Sequence, residues 1–235
     1  MKAMKINVQN IVLVVVMTGF LCVAGIAIAS SPGVMPPQSH AFGKTLTEWS
    51  EAYWWWAFTG EQLDDVGRVN FLPLPAGTYI GGDGTAASPA KYVGEIGVAL
   101  EPGTPFVLPF FAWTSEKYLD GHEDPFIPNE MMPSLVTNLS GDGPPVVTLD
   151  GRPIVKNFWD YYVPPTLFDS IAFYPEPSNY GSIGVAGFQC VAIVVNPLKP
   201  GEHILHLVEK YVVEGVEGIG SFGVIYDNTW VIHVK

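Results

Sequence analysis

An almost unbroken apolar run, Ile11 to Ile28, is the first feature of the hydrophobic pattern. Lys2 and Lys5 precede this run, and Ala29 follows it directly. A basic start, an apolar centre and a small residue at the end predict a secretory signal peptide, residues 1–29. Because the run approaches the ~20 residues that span a bilayer, an uncleaved membrane anchor is the alternative. The pattern thus predicts export, with the mature protein secreted or periplasmic and no longer membrane-spanning once the signal is cleaved.

Apolar residues recur at helical spacing between Thr45 and Gly60. Residues 30–43 before them are rich in Pro, Ser and Gly, which predicts an extended leader. Thr45 and Glu48 have the spacing of a capping box, in which each side chain accepts a hydrogen bond from the other residue's amide. Gly60 is suited to the helix end. The sequence therefore predicts one helix over residues 45–59, packed through a stripe of Leu46, Trp49, Tyr53 and Trp56.

After Gly60 the pattern changes to short β-rich runs separated by Gly, Pro, Asn and Asp. No alternation of strands with helices follows, which disfavours a doubly wound sheet or an α/β barrel. The predicted fold is mainly β: a single-domain antiparallel β-sandwich, jelly-roll-like, over residues 44–235 with the aromatic helix at its N-terminus. The last two strands are predicted to form a long hairpin that closes the sheet. The eight predicted strands are 69–74, 92–100, 106–113, 145–149, 167–174, 188–195, 203–213 and 224–234.

Composition and charge sharpen this picture. Only 14% of the residues are charged and 48% are hydrophobic, which excludes a disordered or coiled-coil chain. Without residues 1–29, the chain has nine basic and 23 acidic residues, so the mature protein has a net charge of −14. This charge excludes nucleic acid as a partner. Cys190 is then the only cysteine, so an intramolecular disulfide is impossible. Its apolar neighbours predict a buried small hydrophobe and not a reactive thiol.

The segment Gly43-Lys44-Thr45-Leu46-Thr47-Glu48-Trp49-Ser50-Glu51-Ala52-Tyr53-Trp54-Trp55-Trp56-Ala57 resembles an uncharacterised family of exported bacterial proteins. That family has Gly-Lys-Thr, Glu-Trp and a Trp-Trp-x-Trp cluster on one helix; here Tyr53 replaces the first tryptophan of the cluster. Weaker matches follow at residues 103–110, 149–153 and 200–203. The resemblance implies export and a mostly β single domain, and it supplies no catalytic residues. The paired cysteines of many members are missing here.

Four tryptophans of this helix are candidate ligand-binding residues. Exposed indole faces stack on sugar rings, and successive positions of a helix point in different directions. At least one of Trp49, Trp54, Trp55 and Trp56 could thus leave the core for a glycan, a lipid or a partner surface. The alternative is that all four pack on the sheet or against a second copy in a homo-oligomer, as in a surface-assembly subunit.

A loop rich in titratable residues is the candidate metal site. Asp120, His122, Glu123 and Asp124 provide three carboxylates and an imidazole within five positions. Oxygen ligands of this kind suit Ca²⁺, although the spacing matches no EF-hand. The alternative is a solvated acidic turn, with no cofactor at all. An extracytoplasmic hydrolase or metal-assisted enzyme would use the same four residues for acid and base chemistry.

The remaining histidines and glycine-rich turns add little chemistry. His203 and His206 lie three apart in a predicted strand and point to opposite faces, which predicts an exposed His203 and an inward His206 in the core or a polar pocket. His233 is predicted to face solvent. Residues 81–84 and 140–143 form Gly-Asp-Gly turns without the lysine of a phosphate-binding loop. The chain is therefore predicted to be a binding or structural module for a glycan, lipid or protein surface, with an enzyme as the alternative.

Overall fold

Two sheets and one long helix account for most of the regular structure in the computed structural model, which describes residues 33–61, 63, 66–178, 180–216 and 219–235. The predicted signal peptide lies outside the described residues. Among the described residues, the strands are β1 (Asn70–Phe71), β2 (Thr78–Gly81), β3 (Ala90–Leu100), β4 (Phe106–Tyr118), β5 (Val136–Thr137), β6 (Val146–Leu149), β7 (Arg152–Pro153), β8 (Tyr162–Phe173), β9 (Ser182–Val195), β10 (Gly201–Val213) and β11 (Phe222–Val234). The helices are α1 (Leu46–Thr59), the short α2 (Met132–Leu135) and two 3-10 segments, Ala41–Gly43 and Phe158–Tyr161.

The long helix α1 has the ends that the sequence predicts. The Thr45 hydroxyl accepts a hydrogen bond from the Glu48 amide at 3.2 Å, and the Thr45 amide donates to Glu48 Oε2 at 2.6 Å. Gly60 terminates the helix in the left-handed conformation, and its amide donates to the Trp56 carbonyl. The capping box and the glycine C-cap are therefore both confirmed.

The smaller sheet has the order β1-β4-β9-β8, and the larger has β2-β3-β11-β10-β6-β7 with β5 added beside β10. Most pairings are antiparallel, but β1 pairs with β4 and β3 pairs with β11 in parallel. The mainly β sandwich is thus confirmed, with two parallel pairings inside it. The β10–β11 hairpin is present over its full length. It occupies the middle of the larger sheet and does not close it, because β3 uses the other edge of β11.

Two apolar layers, one on each face of the smaller sheet, hold most of these elements together. Leu108 and Ile193 from the smaller sheet meet Leu205 and Trp230 from the larger one in the core between the sheets. The opposite face of the smaller sheet packs against α1. Strand β9 is consequently buried on both faces, which explains why it is a nearly continuous apolar run. Residues 33–35 of the predicted leader add a short backbone pairing beside the end of β9.

Among the described residues, no helix has the length and apolar character needed to cross a membrane.

Candidate functional site

The tryptophans of α1 divide into two buried and two half-buried side chains. Trp49 and Trp54 are 1% and 6% exposed, and the Trp49 indole donates to the Ala41 carbonyl at 2.6 Å. Neither ring can stack on a ligand from solvent. Trp55 and Trp56 are half-buried and contact Phe168 and Phe71, respectively. A ligand-binding role for these two stays a prediction.

Buried polar and thiol groups beneath the helix are structural. The Tyr53 hydroxyl donates to the Leu72 carbonyl at 2.7 Å, which ties α1 to the chain that follows β1. Cys190 is fully buried in β9, where burial raises the pKa of its thiol to about 12. A thiol with this pKa is not a nucleophile at neutral pH. The prediction that Cys190 acts as a small hydrophobe is confirmed by its burial.

The candidate metal residues lie on an acidic hairpin, residues 116–124, that begins with the last residues of β4. Its return strand pairs with β4 through the Asp124 amide and the Glu116 carbonyl at 3.0 Å. Glu123 is ion-paired with Lys117 at 2.7 Å, and Asp120 Oδ1 accepts from the His122 amide. The carboxylates of Asp120 and Glu123 are therefore engaged within the hairpin itself.

The geometry of the acidic hairpin does not converge on a cation. Asp124 accepts a hydrogen bond from the Tyr118 hydroxyl at 3.1 Å and lies 3.7 Å from His122 Nε2, while Glu123 is held by Lys117. In the part of the chain that the structure describes, no three His, Cys, Asp or Glu side chains form a metal-binding group. Calcium binding here stays a prediction that the contacts do not favour.

The two histidines of β10 have the reverse of the predicted orientation. His203 faces inward, where its ring contacts Asp150 at 2.8 Å and the Lys199 carbonyl at 2.9 Å. His206 lies on the outer face and contacts Asp227 at 2.8 Å. The prediction of the strand's phase was wrong because both faces of β10 carry apolar residues. Packing on the other sheet selects the face that carries Leu205 and Leu207.

The His203–Asp150 pair fixes the β6–β7 turn to β10. Asp150 has a positive φ of 52°, and its Oδ1 accepts from the Ile204 amide at 3.0 Å. Burial alone would raise the Asp150 pKa, but hydrogen bonds from His203 and Ile204 outweigh it and lower the pKa. Burial alone would lower the pKa of His203, but the contacts with Asp150 and the Lys199 carbonyl outweigh burial and raise the pKa. This pair is a structural brace.

Glu209 is an unusual residue on the inner face of β10. Its side chain is 3% exposed, and its Oε2 has no hydrogen-bond partner among the described residues. Burial raises the pKa of the carboxyl to about 8. Glu209 is the last member of a row of side chains that are in register across four strands. In this row Tyr79 lies opposite Tyr92, Tyr92 opposite Tyr226, and Tyr226 opposite Glu209. The sequence shows no signal for this burial beyond the strand's alternation.

The outer face of the same strands carries a second row with different chemistry. In register across the larger sheet, Gly81 lies opposite Lys91, Lys91 opposite Ile225, Ile225 opposite Lys210, and Lys210 opposite Thr137. Lys210 follows Glu209 in sequence, so the two side chains point to opposite faces of the sheet. The outer face therefore presents two ammonium groups in one row.

This row is the floor of an outer groove formed by two adjoining cavities of about 430 and 460 Å³. Both cavities are lined by Ala87 and Lys210, so the two adjoin there. The first cavity is also lined by residues 80–82, 88–89 and 91, together with Leu139 and Ile225. The second is also lined by Ala86, Ser134, Leu135, Thr137, Gly141, Val212 and Glu214.

One wall of the outer groove is the loop of residues 82–89, which begins with the first Gly-Asp-Gly turn. Asp83 Oδ1 accepts hydrogen bonds from the Thr85 amide at 3.0 Å and the Thr85 hydroxyl at 2.7 Å. A Cβ on Gly82 would lie 2.0 Å from the Pro89 carbonyl oxygen, and one on Gly223 would lie 2.6 Å from the Thr85 carbonyl oxygen. Only glycine permits these close approaches. The turn thus holds its wall against β11.

The second Gly-Asp-Gly turn, residues 140–143, contributes to the other wall. Asn138 Oδ1 accepts from the Gly141 amide at 3.0 Å, and the Asn138 amide donates to the Gly143 carbonyl at 2.7 Å. The sequence identifies both turns, but their convergence on one groove depends on strand pairing. Lys91 and Lys210 were not among the predicted site residues, since nothing in the sequence indicates that two lysines 119 positions apart share a surface.

No protein-family model and no curated protein matches this sequence. A chain of the solved structure described as PbICP-C in complex with falcipain-2 is matched over 72% of this chain and 100% of its own length. Sequence identity over the match is 11%, and the TM-score is 0.21. A likeness at that TM-score carries no argument about fold or function.

Proposed function

We propose that this protein is an exported binding module that receives an extended ligand in the outer groove of its larger sheet. The observation that carries the proposal is that the two cavities adjoin at Ala87 and Lys210, above one register row of the sheet. Ligand sites are concave surfaces in which a few polar groups fix the orientation of the ligand. The outer groove has this character.

Rigid walls support the same proposal. The groove's floor includes the paired strands β3, β11 and β10, and the turns at residues 82–84 and 140–143 are braced by side-chain hydrogen bonds. Sites on such supported elements lose little conformational entropy when a ligand binds. We therefore favour the groove over Trp55 and Trp56, whose half-buried rings already contact aromatic neighbours.

Binding is proposed ahead of catalysis because of the contacts in the acidic hairpin. The enzyme alternative assigned acid and base roles to Asp120, His122, Glu123 and Asp124. A general base must reach the proton that it removes, and Glu123 is instead held by Lys117 at 2.7 Å. Tyr118 contacts Asp124 in the same way. These contacts give the hairpin a structural role.

Export and family membership belong to this proposal as well. The basic and apolar pattern of residues 1–29 supports secretion or a periplasmic location, and the acidic mature chain is compatible with both. The aromatic helix α1 supports membership of the exported bacterial family that it resembles. Cleavage after Ala29 is tested by N-terminal sequencing of the protein recovered from the medium or periplasm; an N-terminus at Met1 would contradict it.

A blocked groove tests the binding function. Ala87→Trp introduces a bulky ring where the two cavities join, and Ala57→Trp, on the exposed face of α1, is the matched control. Affinity electrophoresis through gels that contain a panel of soluble polysaccharides measures retardation of each variant. We expect at least one polysaccharide to retard the parent and the Ala57 variant but not the Ala87 variant. Equal retardation of all three proteins, or of none, would contradict the proposal.

A further inference from the structure

The charges of the outer groove are unevenly distributed along its length. Lys91 and Lys210 both line the first cavity, and among the described residues neither ammonium group has an ion pair or a hydrogen bond. Two strand spacings of about 4.8 Å separate their backbone positions, so the two lysines stand ~10 Å apart. In a chain with a net charge of −12, this is a local concentration of positive charge.

The second cavity has a different character. Glu214 lines it together with Lys210 and two hydroxyl side chains, Ser134 and Thr137. A carboxylate at this end repels an anionic group but accepts hydrogen bonds from hydroxyl or amide groups of a ligand. The groove thus offers an anion-binding half and a half suited to neutral polar groups. Exposed apolar residues, Ile80 and Leu139, flank the first half and can contact the apolar faces of sugar rings.

We propose that the outer groove binds an acidic glycan in which charged and neutral sugars alternate. An acidic sugar lies between Lys91 and Lys210, and the neighbouring neutral sugar lies beside Glu214 and Thr137. This inference rests on the proposed binding function and adds the chemistry of the ligand. Lysine ammonium groups bind carboxylate or sulfate as point charges, so either acidic group fits the first cavity.

A peptide or a lipid surface fits this groove less well than a glycan. The floor crosses the faces of five paired strands, so a ligand that lies along it contacts side chains and does not extend the sheet as an added strand would. Binding to an anionic membrane needs clusters of four to eight basic residues, whereas this groove has two and a carboxylate beside them. A glycan uses side-chain contacts alone, which is what the face of a sheet provides.

The experiment uses three soluble polysaccharides whose charge pattern differs. Hyaluronan alternates an acidic and a neutral sugar, polygalacturonate is acidic at every sugar, and dextran is neutral. Affinity electrophoresis compares the parent with Lys91→Gln, Lys210→Gln and Glu214→Gln, and Lys156→Gln is the control because Lys156 is exposed outside the groove. Poly-glutamate and anionic phospholipid vesicles serve as competitors.

We expect hyaluronan to bind more tightly than polygalacturonate and dextran. Each lysine variant should weaken hyaluronan binding about fivefold, the effect of one partly exposed ion pair, and the control should not change it. Glu214→Gln should selectively strengthen polygalacturonate binding. Added salt should weaken hyaluronan binding to the parent more than to the lysine variants.

The outcomes separate this inference from the proposed function. If Ala87→Trp abolishes binding while both lysine variants bind like the parent, the groove is a ligand site but the acidic glycan is wrong. Equal binding of hyaluronan and dextran would likewise show that the acidic glycan is the wrong ligand. Full displacement of hyaluronan by poly-glutamate would indicate that the ligand is an acidic peptide, and full displacement by vesicles would indicate a lipid surface; either result would overturn the glycan. Binding that survives Ala87→Trp would reject the groove itself.

Discussion

The buried Glu209 carboxyl makes the stability of this protein depend on pH in a defined direction. Burial raises its pKa from 4.5 to about 8. Between these values the folded protein keeps a proton that the unfolded chain has lost, so rising pH favours unfolding. The free energy of unfolding should fall by about 1.4 kcal/mol per pH unit over this window and level off above pH 8. Below pH 4.5 the carboxyl is protonated in both states and contributes no slope.

Replacing the glutamate with an amide removes this dependence. Glu209→Gln keeps the shape of the protonated side chain but cannot ionise. Its stability relative to the parent should therefore rise with pH and reach a gain of about 5 kcal/mol above pH 8, which corresponds to the full pKa difference. A poor fit of the amide group would shift the curve by a constant amount and leave its slope unchanged. The slope is thus the measurement that reports on burial.

Urea denaturation at half-unit steps from pH 4 to pH 9, followed by tryptophan fluorescence, gives the required curves. Glu95→Gln is the matched control, because Glu95 lies exposed on the neighbouring strand β3. Other titrations are common to all three proteins and cancel in the differences. A parent-to-variant difference that stays constant across the window would refute the reasoning. So would a difference of the same slope in the Glu95 variant.

Three further predictions concern the brace, the helix and the acidic hairpin. Asp150→Asn should lower the free energy of unfolding by about 1 kcal/mol only at pH values between the lowered pKa of Asp150 and the raised pKa of His203, because both groups are charged only there. An equal loss at all pH values in urea titrations would contradict this. Trp49→Ala should lower the free energy of unfolding by ~3–5 kcal/mol and Trp55→Ala by clearly less, because only the Trp49 ring is fully buried. Equal losses for the two variants in the same assay would contradict this prediction. Excess calcium should leave the melting temperature of the protein unchanged. A bound calcium ion, at a concentration a hundredfold above its Kd, would instead raise the free energy of unfolding by ~2.7 kcal/mol and the melting temperature with it.

Local chemistry made the helix and most strands predictable. The capping box between Thr45 and Glu48 and the glycine at position 60 determine both ends of α1, because they involve only neighbouring residues. All eight predicted strands correspond to observed ones, often extended by several residues. The short strands β2, β5 and β7 were not predicted.

The orientation of β10 shows where such reasoning ends. Leu205 and Leu207 alternate with Ile204, His206 and Val208, so both faces of the strand are apolar enough to be buried. A shift of one residue exchanges every side chain between the two faces. The contacts with the other sheet decide between them, and these contacts involve strands far away in sequence.

The sequence by itself therefore determined the features that depend on near neighbours: the pattern of an export signal, the capped aromatic helix, the turns and most strands. Tertiary structure alone decided which side chains from distant parts of the chain share a surface. It buried Trp54, which lies outside the predicted stripe, enclosed Glu209, and brought Lys91 and Lys210 into one groove between two distant turns. The physical reason is that strand order and register are selected by the total burial of apolar surface, a property that no local segment contains.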